Sequence, residues 1–482
     1  LPVPDPMPPT RYMALSDELK QQRQSYYRDV AVLALPTTTG QGRVQDIVEK
    51  ALYDRAPYTS AKAVKPYLLM PAEYPSSDDA IPPEKILDLT ESLQPDGTLN
   101  WQMPPGKWTI LRFVSRNSGA TTRPAPDPGF GFECDKFDTA AFHSHFQNYA
   151  AKLLDKIGPR EKSSGWTMLH IDSWEMGAQN WTSRFREEFR TRRGYDPQPY
   201  YPAYAGYIVA SPEISERFLW DVRLTSQELV LDYHAGYVKT LGRRYGFGLS
   251  IEPYDMNPCA DLTLGAVADV PMCEFWSDGY GFDAAFSCIE ATSIAHTMGR
   301  PIVGAEAFTA GDAEAWRQHP GSMKNQGDWA FAIGVNRFVY HTFAHQPLGD
   351  EHLPGMTMGP YGVHWDRRQT WWPMASDYHR YVSRCSHMLR QGTTVSDILY
   401  LTPEGAPHVF RAPASALQQG SGTLVDKKGY GFDGCSPEIL MERAKTVDGS
   451  IRFPEGSSYR LLVLPDVATM TPELLRKIID LV

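Results

Sequence analysis

Trp166-Thr-Met-Leu-His-Ile-Asp172 is a short, continuous apolar run that closes on a carboxylate. A strand buried on both faces of a parallel sheet reads this way, whereas a half-solvated antiparallel strand alternates. A polar, charged helix is expected after it, over 182–193, stopped by Gly194. Downstream the same unit recurs. A long helix over 211–245 leads to a strand over 248–252 ahead of Pro253, and the segment 266–270, with Glu274 beyond it, marks a third strand. A helix over 283–298 leads to a strand over 301–306, and a helix around 324–333 to a strand over 336–343. Strands alternating with helices over roughly 200 residues imply βα units and a parallel sheet, with a (β/α)8, TIM-like barrel as the favoured closure.

Upstream the texture differs. Residues 1–27 are proline-rich and then charged, a linker feeding a short helix. An apolar run over 30–35 ends at Pro36, and short β-like segments over 85–89 and 108–114 are set off by Pro95-Asp96-Gly97 and Pro105-Gly106. Residues 28–135 therefore read as a β-rich segment or β-sandwich insertion. The catalytic barrel is expected over 136–392. It opens with a helix over 139–157 that carries Phe142, Phe146, Tyr149, Leu153 and Leu154 at helical spacing and ends at Gly158. Residues 393–482 hold two further strand-like runs, 394–401 and 460–464, and a helix from 471 onward, which is the start of another α/β domain. That last unit stops inside a βα repeat, so this domain is expected to be incomplete in this chain.

The chain has 482 residues, a formal charge of −10 and 42 % hydrophobic residues, enough to bury a large core. An acidic total without a basic block argues against nucleic acid as a partner. No run approaches ~18 apolar residues, so no membrane span is expected. Six scattered cysteines without a CxxC pair read as buried free thiols, neither a disulfide framework nor a zinc knuckle. No signal-peptide pattern is present; a bacterial periplasmic or secreted location is the expectation, with the cytoplasm left open, and oligomeric state is not set by the sequence. Aromatic residues reach 12 %. With net negative charge, that fits a protein that stacks on neutral ligands and holds a few functional carboxylates.

Those carboxylates have a pattern. Asp172 and Glu175, Glu252, Glu274 and Glu306 each sit at or just past the end of a successive strand. In a parallel barrel the carboxyl ends of all strands open on one face, where active sites are built. One such acid would read as a helix N-cap or a surface residue; four strands in a row, each beside Trp174, Trp181, Phe275, Trp276, Tyr280 or Phe308, weaken that reading. Converging carboxylates suit glycoside hydrolysis, which needs an acid and a base or nucleophile. They equally suit a hard cation, which takes several oxygen ligands. His341 and His345, then His364 and Trp365, add imidazoles and an indole at another strand end. No cysteine or third histidine stands at zinc-like spacing, so these read as hydrogen-bonding partners for sugar hydroxyls. Asn180-Trp181-Thr182 matches a glycosylation sequon by coincidence of pattern. Gly129-Phe-Gly-Phe132 lacks the strand-to-helix setting of a dinucleotide loop, and neither a P-loop nor a GxSxG elbow occurs.

Longer motifs carry a family resemblance. Asp172-Ser-Trp-Glu-Met-Gly-Ala-Gln-Asn-Trp181, Phe185-Arg-Glu-Glu-Phe189, Gly194-Tyr-Asp-Pro197, Glu274-Phe-Trp276 and Gly304-Ala-Glu-Ala-Phe308 resemble the α-L-rhamnosidases of glycoside hydrolase family 106. So do Gly334-Val-Asn-Arg-Phe-Val-Tyr-His-Thr-Phe-Ala-His-Gln-Pro347, Gly355-Met-Thr-Met-Gly-Pro-Tyr-Gly362 and Thr370-Trp-Trp372, with Trp108-Thr-Ile-Leu-Arg-Phe113 and Gly131-Phe-Glu-Cys-Asp-Lys-Phe137 upstream. The resemblance implies a (β/α)8-type catalytic barrel with β-sandwich additions. It implies calcium-assisted, inverting hydrolysis of terminal α-L-rhamnosides, with a rhamnose-containing glycoside or polysaccharide as the partner. By motif position Glu175 would be the general acid and Glu306 the general base. Glu274 would lie between them as a Ca2+ ligand or sugar contact, with Asp172 as a second ligand. Asp172, Trp174, Glu252, Trp276, Phe308, His341, His345, His364 and Trp365 would line the substrate. Family members usually extend beyond both ends of this segment, with the first barrel strands upstream, so the resemblance implies a barrel that is incomplete in this chain. Another carbohydrate-active enzyme on the same scaffold, or a non-catalytic sugar-binding protein, are the alternatives.

Overall fold

The computed structural model describes residues 13, 15–38, 40, 42–53, 70–71, 73–122, 125, 129–158, 165–254, 258–277, 285–311, 314, 316–358, 364–417 and 422–482. Near the start, β1 (Arg28–Pro36), β2 (Leu87–Asp88) and β3 (Trp108–Ser115) form an antiparallel sheet in the order β2-β1-β3. Alternation divides β1 between two environments, as the period of a strand requires. Val32 and Ala34 pack under Trp108 and Ile110, whereas Ala31 and Leu33 face the other way, into the cluster that holds Phe185, Phe218 and Ile251. The β-rich segment thus shares a core with the helices and strands that follow it. Lys50 and Glu216 reinforce the join with a buried ion pair at 2.6 Å.

The central sheet has five strands, all parallel and in chain order: β4 (Met168–Ile171), β5 (Gly248–Ile251), β6 (Val270–Trp276), β7 (Gly304–Thr309) and β8 (Arg337–Tyr340). Helices Phe185–Arg193, Pro212–Leu229, Gly236–Arg244, Ala285–Met298 and Pro320–Ala332 fill the crossovers. Sequential parallel strands with helical crossovers are the arrangement of an incomplete α/β barrel. The strands approach closely: a Cβ on Gly304 would lie 2.7 Å from Cγ of Met272 on β6.

Two strands sit later in the chain than their patterns indicate. Of residues 266–270, expected as the third strand, Ala266 ends a buried helix, Asp261–Ala266, and the strand begins only at Val270. Short apolar runs do not separate a buried helix from a buried strand, and Pro271 is tolerated because it lies at the strand's beginning. Likewise β7 starts at Gly304, not at 301. Glu274 and Glu306 are therefore inside strands instead of past their ends, and they are direct register partners across β6 and β7.

Beyond helix Ala375–Leu389 a second parallel sheet follows. It consists of β9 (Ile398–Leu401), β10 (Phe432–Cys435) and, after the antiparallel β11 (Lys445–Val447), β12 (Ser450–Arg452) and β13 (Ser458–Tyr459), β14 (Leu461–Val463), in the order β10-β9-β14. Helix Pro472–Leu481 covers it with Leu474, Ile478 and Leu481. Asp433 ties this sheet to the central unit, accepting from Tyr459 at 2.8 Å and lying 2.7 Å from His296. The six cysteines are free, and four of them, Cys259, Cys273, Cys288 and Cys435, are buried. Among the described residues no helix is long and apolar enough to cross a membrane.

Candidate active site

The carboxyl ends of β4 to β7 bring four acids to one place. Asp172 follows β4 and Glu252 follows β5; the Glu252 amide donates to the Ile171 carbonyl at 3.0 Å, extending the β4–β5 pairing to the site. Glu252 is only 3 % exposed. Its burial, and then the charges of Asp172, Glu306 and Glu274, push its pKa well above the usual carboxylate range, so it is held as a neutral acid. Tyr254 donates to Glu252 Oε2 at 2.8 Å. On the far side, His170 Nε2 lies 3.7 Å from Asp172 Oδ1 and His170 Nδ1 is 2.9 Å from the Ser250 hydroxyl. Burial of the inner face of Asp172 opposes its charge, but hydrogen bonds with His170 and Glu252 outweigh this and hold it down at about 2. A neutral acid and an ionised one thus stand side by side, the arrangement from which distinct roles are built.

Glu306 accepts a hydrogen bond from the Thr309 hydroxyl at 2.5 Å. Its Oε1 is 4.0 Å from His341 Nε2, while His341 Nδ1 is buried and makes no hydrogen bond. The Thr309 contact depends on a bulge. Ala307 pairs with Phe275 but Thr309 pairs with Trp276, leaving Phe308 as the extra residue, at a φ of +64°. Glu175 is exposed on the loop after β4, with Ser173 Oγ at 3.4 Å from its Oε1.

Several aromatic residues expected to face substrate do not. Trp174 is 7 % exposed and donates its indole N–H to the Gly177 carbonyl at 2.7 Å. Phe308 and Trp365 are fully enclosed. Phe308 packs on Phe275, Phe338 and Tyr340, and Trp365 on Tyr340, Trp371 and Tyr378. Trp181 stacks on Phe185 within the first core cluster. These rings are where they are because large apolar side chains return roughly 1.5–3 kcal/mol each on burial. His364 is also buried, beneath Trp316. Trp276 is half-buried at the end of β6, and His345 is exposed. Tyr280 lies outside the described residues. Asn180 donates to the Ala51 carbonyl at 2.8 Å, in keeping with a sequon by coincidence.

Three residues that the sequence did not single out belong here. His170 and Tyr254 each lie two positions from an acid, on the same face by strand alternation, and that signal was present. Thr309 acts through a bulge that no periodicity reports.

The donor chemistry of these acids fits a divalent cation. Ligand atoms of His170, Asp172 and Glu252 lie within 4.8 Å of one another. Two carboxylates from adjacent strand ends, with Glu274 and Glu306 near enough to act on Glu252, supply the oxygen donors a hard dication takes. The crowding that keeps Glu252 neutral is what such an ion would relieve. The fit therefore favours Asp172 and Glu252 as the pair, with Glu274 beside them.

Residues 9–482 match the sequence profile of glycoside hydrolase family 106, described as alpha-L-rhamnosidase. A protein of Formosa agariphila named "Putative beta-glucuronidase" is 35 % identical over 472 residues, spanning 97 % of this chain and 38 % of that protein. The solved structure of a rhamnosidase from Novosphingobium sp. PP1Y superposes with a TM-score of 0.76 at 30 % identity, over 92 % of this chain and 41 % of that one. The chain thus spans about two-fifths of the length of these relatives.

Proposed function

The chain belongs to glycoside hydrolase family 106, the α-L-rhamnosidases, and from that premise we propose that it carries the catalytic centre of an enzyme releasing terminal α-L-rhamnose with inversion, assisted by Ca2+. The observation that supports this reading is the convergence of Asp172, Glu252, Glu274 and Glu306 at the carboxyl ends of four consecutive parallel strands. Glu175, open to solvent, donates its proton to the glycosidic oxygen as the bond from C1 to that oxygen breaks. Water attacks C1 from the opposite face, and Glu306 takes its proton. Thr309 holds the Glu306 carboxylate in place, and Asp172, charged across the working range, offers an acceptor for sugar hydroxyls. A calcium ion held by Asp172 and Glu252, with Glu274 beside them, would orient and polarise the rhamnose hydroxyls.

The name of the Formosa agariphila relative raises a second reading, a uronide as substrate. Without an ion in place, a uronate carboxylate brought among the acids that act on Glu252 would be repelled; the family profile and the rhamnosidase structure support rhamnose in preference. Proton NMR of the first product decides the stereochemistry. The β-anomer of rhamnose appearing ahead of mutarotation is expected; the α-anomer appearing first would establish retention and overturn the two-carboxylate inverting scheme. Release of glucuronic acid and not rhamnose would overturn the substrate.

A further inference from the structure

Trp316 and His364 stack with ring centroids 3.7 Å apart and planes inclined by 13°. Both backbones lie in the left-handed region, at φ +64° and +55°. Bulky residues avoid that region, and strain of this kind persists where the surroundings impose it, commonly at ligand sites. The two rings are unequally covered: His364 is 3 % exposed and Trp316 is 42 % exposed. Imidazole forms the floor, and the indole turns a face to solvent.

Hydrogen bonds lead from both supports of the stack toward Glu306. Two residues after Trp316, the Gln318 amide donates to the Ser277 hydroxyl, and the Ser277 amide donates to the Thr309 carbonyl at 2.8 Å. Thr309 in turn holds Glu306. On the other support, the amide of Trp365 donates to the Thr342 carbonyl at 3.0 Å, next to His341. The loops after β7 and β8 therefore meet at this pair. An immobilised, flat, half-exposed indole presents its π face to the C–H-rich face of a pyranose, with the polar groups around it left for hydroxyls. The ring of the sugar being cleaved belongs among the acids themselves, so the indole serves what is attached to it.

We propose that Trp316, backed by His364, is the platform for the pyranose to which the departing rhamnose is linked, and so selects rhamnosyl-glycans over rhamnosides of simple alcohols. The proposal rests on the rhamnosidase reading. Its test is the ratio of kcat/KM on a rhamnosyl disaccharide to kcat/KM on methyl α-L-rhamnoside, whose leaving group has no ring to stack. Trp316→Gly removes the ring and suits the positive φ; Trp316→Tyr keeps a ring. The glycine variant is expected to lower the ratio about tenfold, and the tyrosine variant to restore it to within about threefold of wild type. A ratio unchanged by Trp316→Gly overturns the platform. Wild-type protein inactive on both substrates overturns the rhamnosidase reading itself, and the platform with it.

Discussion

Thr309 donates to Glu306 from three residues away on the same strand, at 2.5 Å. Residues three apart on a regular strand point to opposite faces; the extra residue at Phe308 restores Thr309 to the Glu306 side. The bulge therefore positions the proposed base. Replacing Thr309 with Val keeps the shape and removes the donor. The expected outcome is a fall in kcat of about tenfold with little change in KM, near the ~1.5–3 kcal/mol range of a hydrogen bond to a charged group. Thr309→Ser should recover most of it. Steady-state kinetics that leave kcat intact in Thr309→Val would remove this contact from the mechanism.

Glu175 and Glu306 occupy different settings, one on an exposed loop and one within β7. Their replacement should be read accordingly. Glu175→Gln and Glu306→Gln should each lower kcat by ~10²–10⁴-fold if they transfer protons. The acid variant should recover on a rhamnoside whose leaving group needs no protonation, such as dinitrophenyl, and the base variant should not. A Glu175→Gln enzyme equally slow on both leaving groups would deny it the role of acid.

Much of this arrangement was legible in the sequence, and the limits have physical causes. The run ending at Asp172 marked β4 because a strand buried on both faces is apolar throughout, and Glu252 followed from the same logic. The third strand, read at 266–270, begins only at Val270, because Ala266 closes the helix Asp261–Ala266 and the residues from there to Val270 form the turn out of it, whose small apolar side chains are also covered. The aromatic neighbours of the acids were read as substrate walls, yet Phe308 and Trp365 close the core. Adjacency in sequence to a site residue does not say which way a ring points when a bulge intervenes. The His170–Asp172 and Glu252–Tyr254 pairs were open to a reading by alternation alone.

Asp172 and Glu252 offer a hard cation the oxygen donors it takes. If they hold Ca2+, Asp172→Asn and Glu252→Gln should raise the calcium concentration for half-maximal activity by about tenfold or more, an effect of the size seen when groups supporting a metal are removed. Glutamine mimics the neutral form of Glu252, so an unchanged calcium requirement in Glu252→Gln would show that this residue stays protonated and binds no metal. Calorimetric titration of Ca2+ into chelator-treated protein measures the same quantity without turnover.

Glu290, on helix Ala285–Met298, is fully buried and accepts from the Phe410 amide at 2.6 Å. Burial, offset by that bond, by a hydrogen bond with Asp261 and by the charge of Arg411, pushes its pKa up to about 8. An acid whose pKa is raised on folding stabilises the fold fully below its unfolded value, near ~4.3, and loses that contribution as pH rises through the folded value. Wild-type stability should therefore decline between pH ~5 and 8 by up to ~1.4 kcal/mol per pH unit from this group. Glu290→Gln keeps an acceptor for Phe410 and gains a donor toward Asp261, while removing the titration. Thermal melts of the two proteins should run parallel below pH ~4 and diverge above pH 5 in favour of the variant. Melting curves that stay parallel up to pH 9 would mean that Glu290 is charged in the folded protein, with Arg411 and not a proton as its partner.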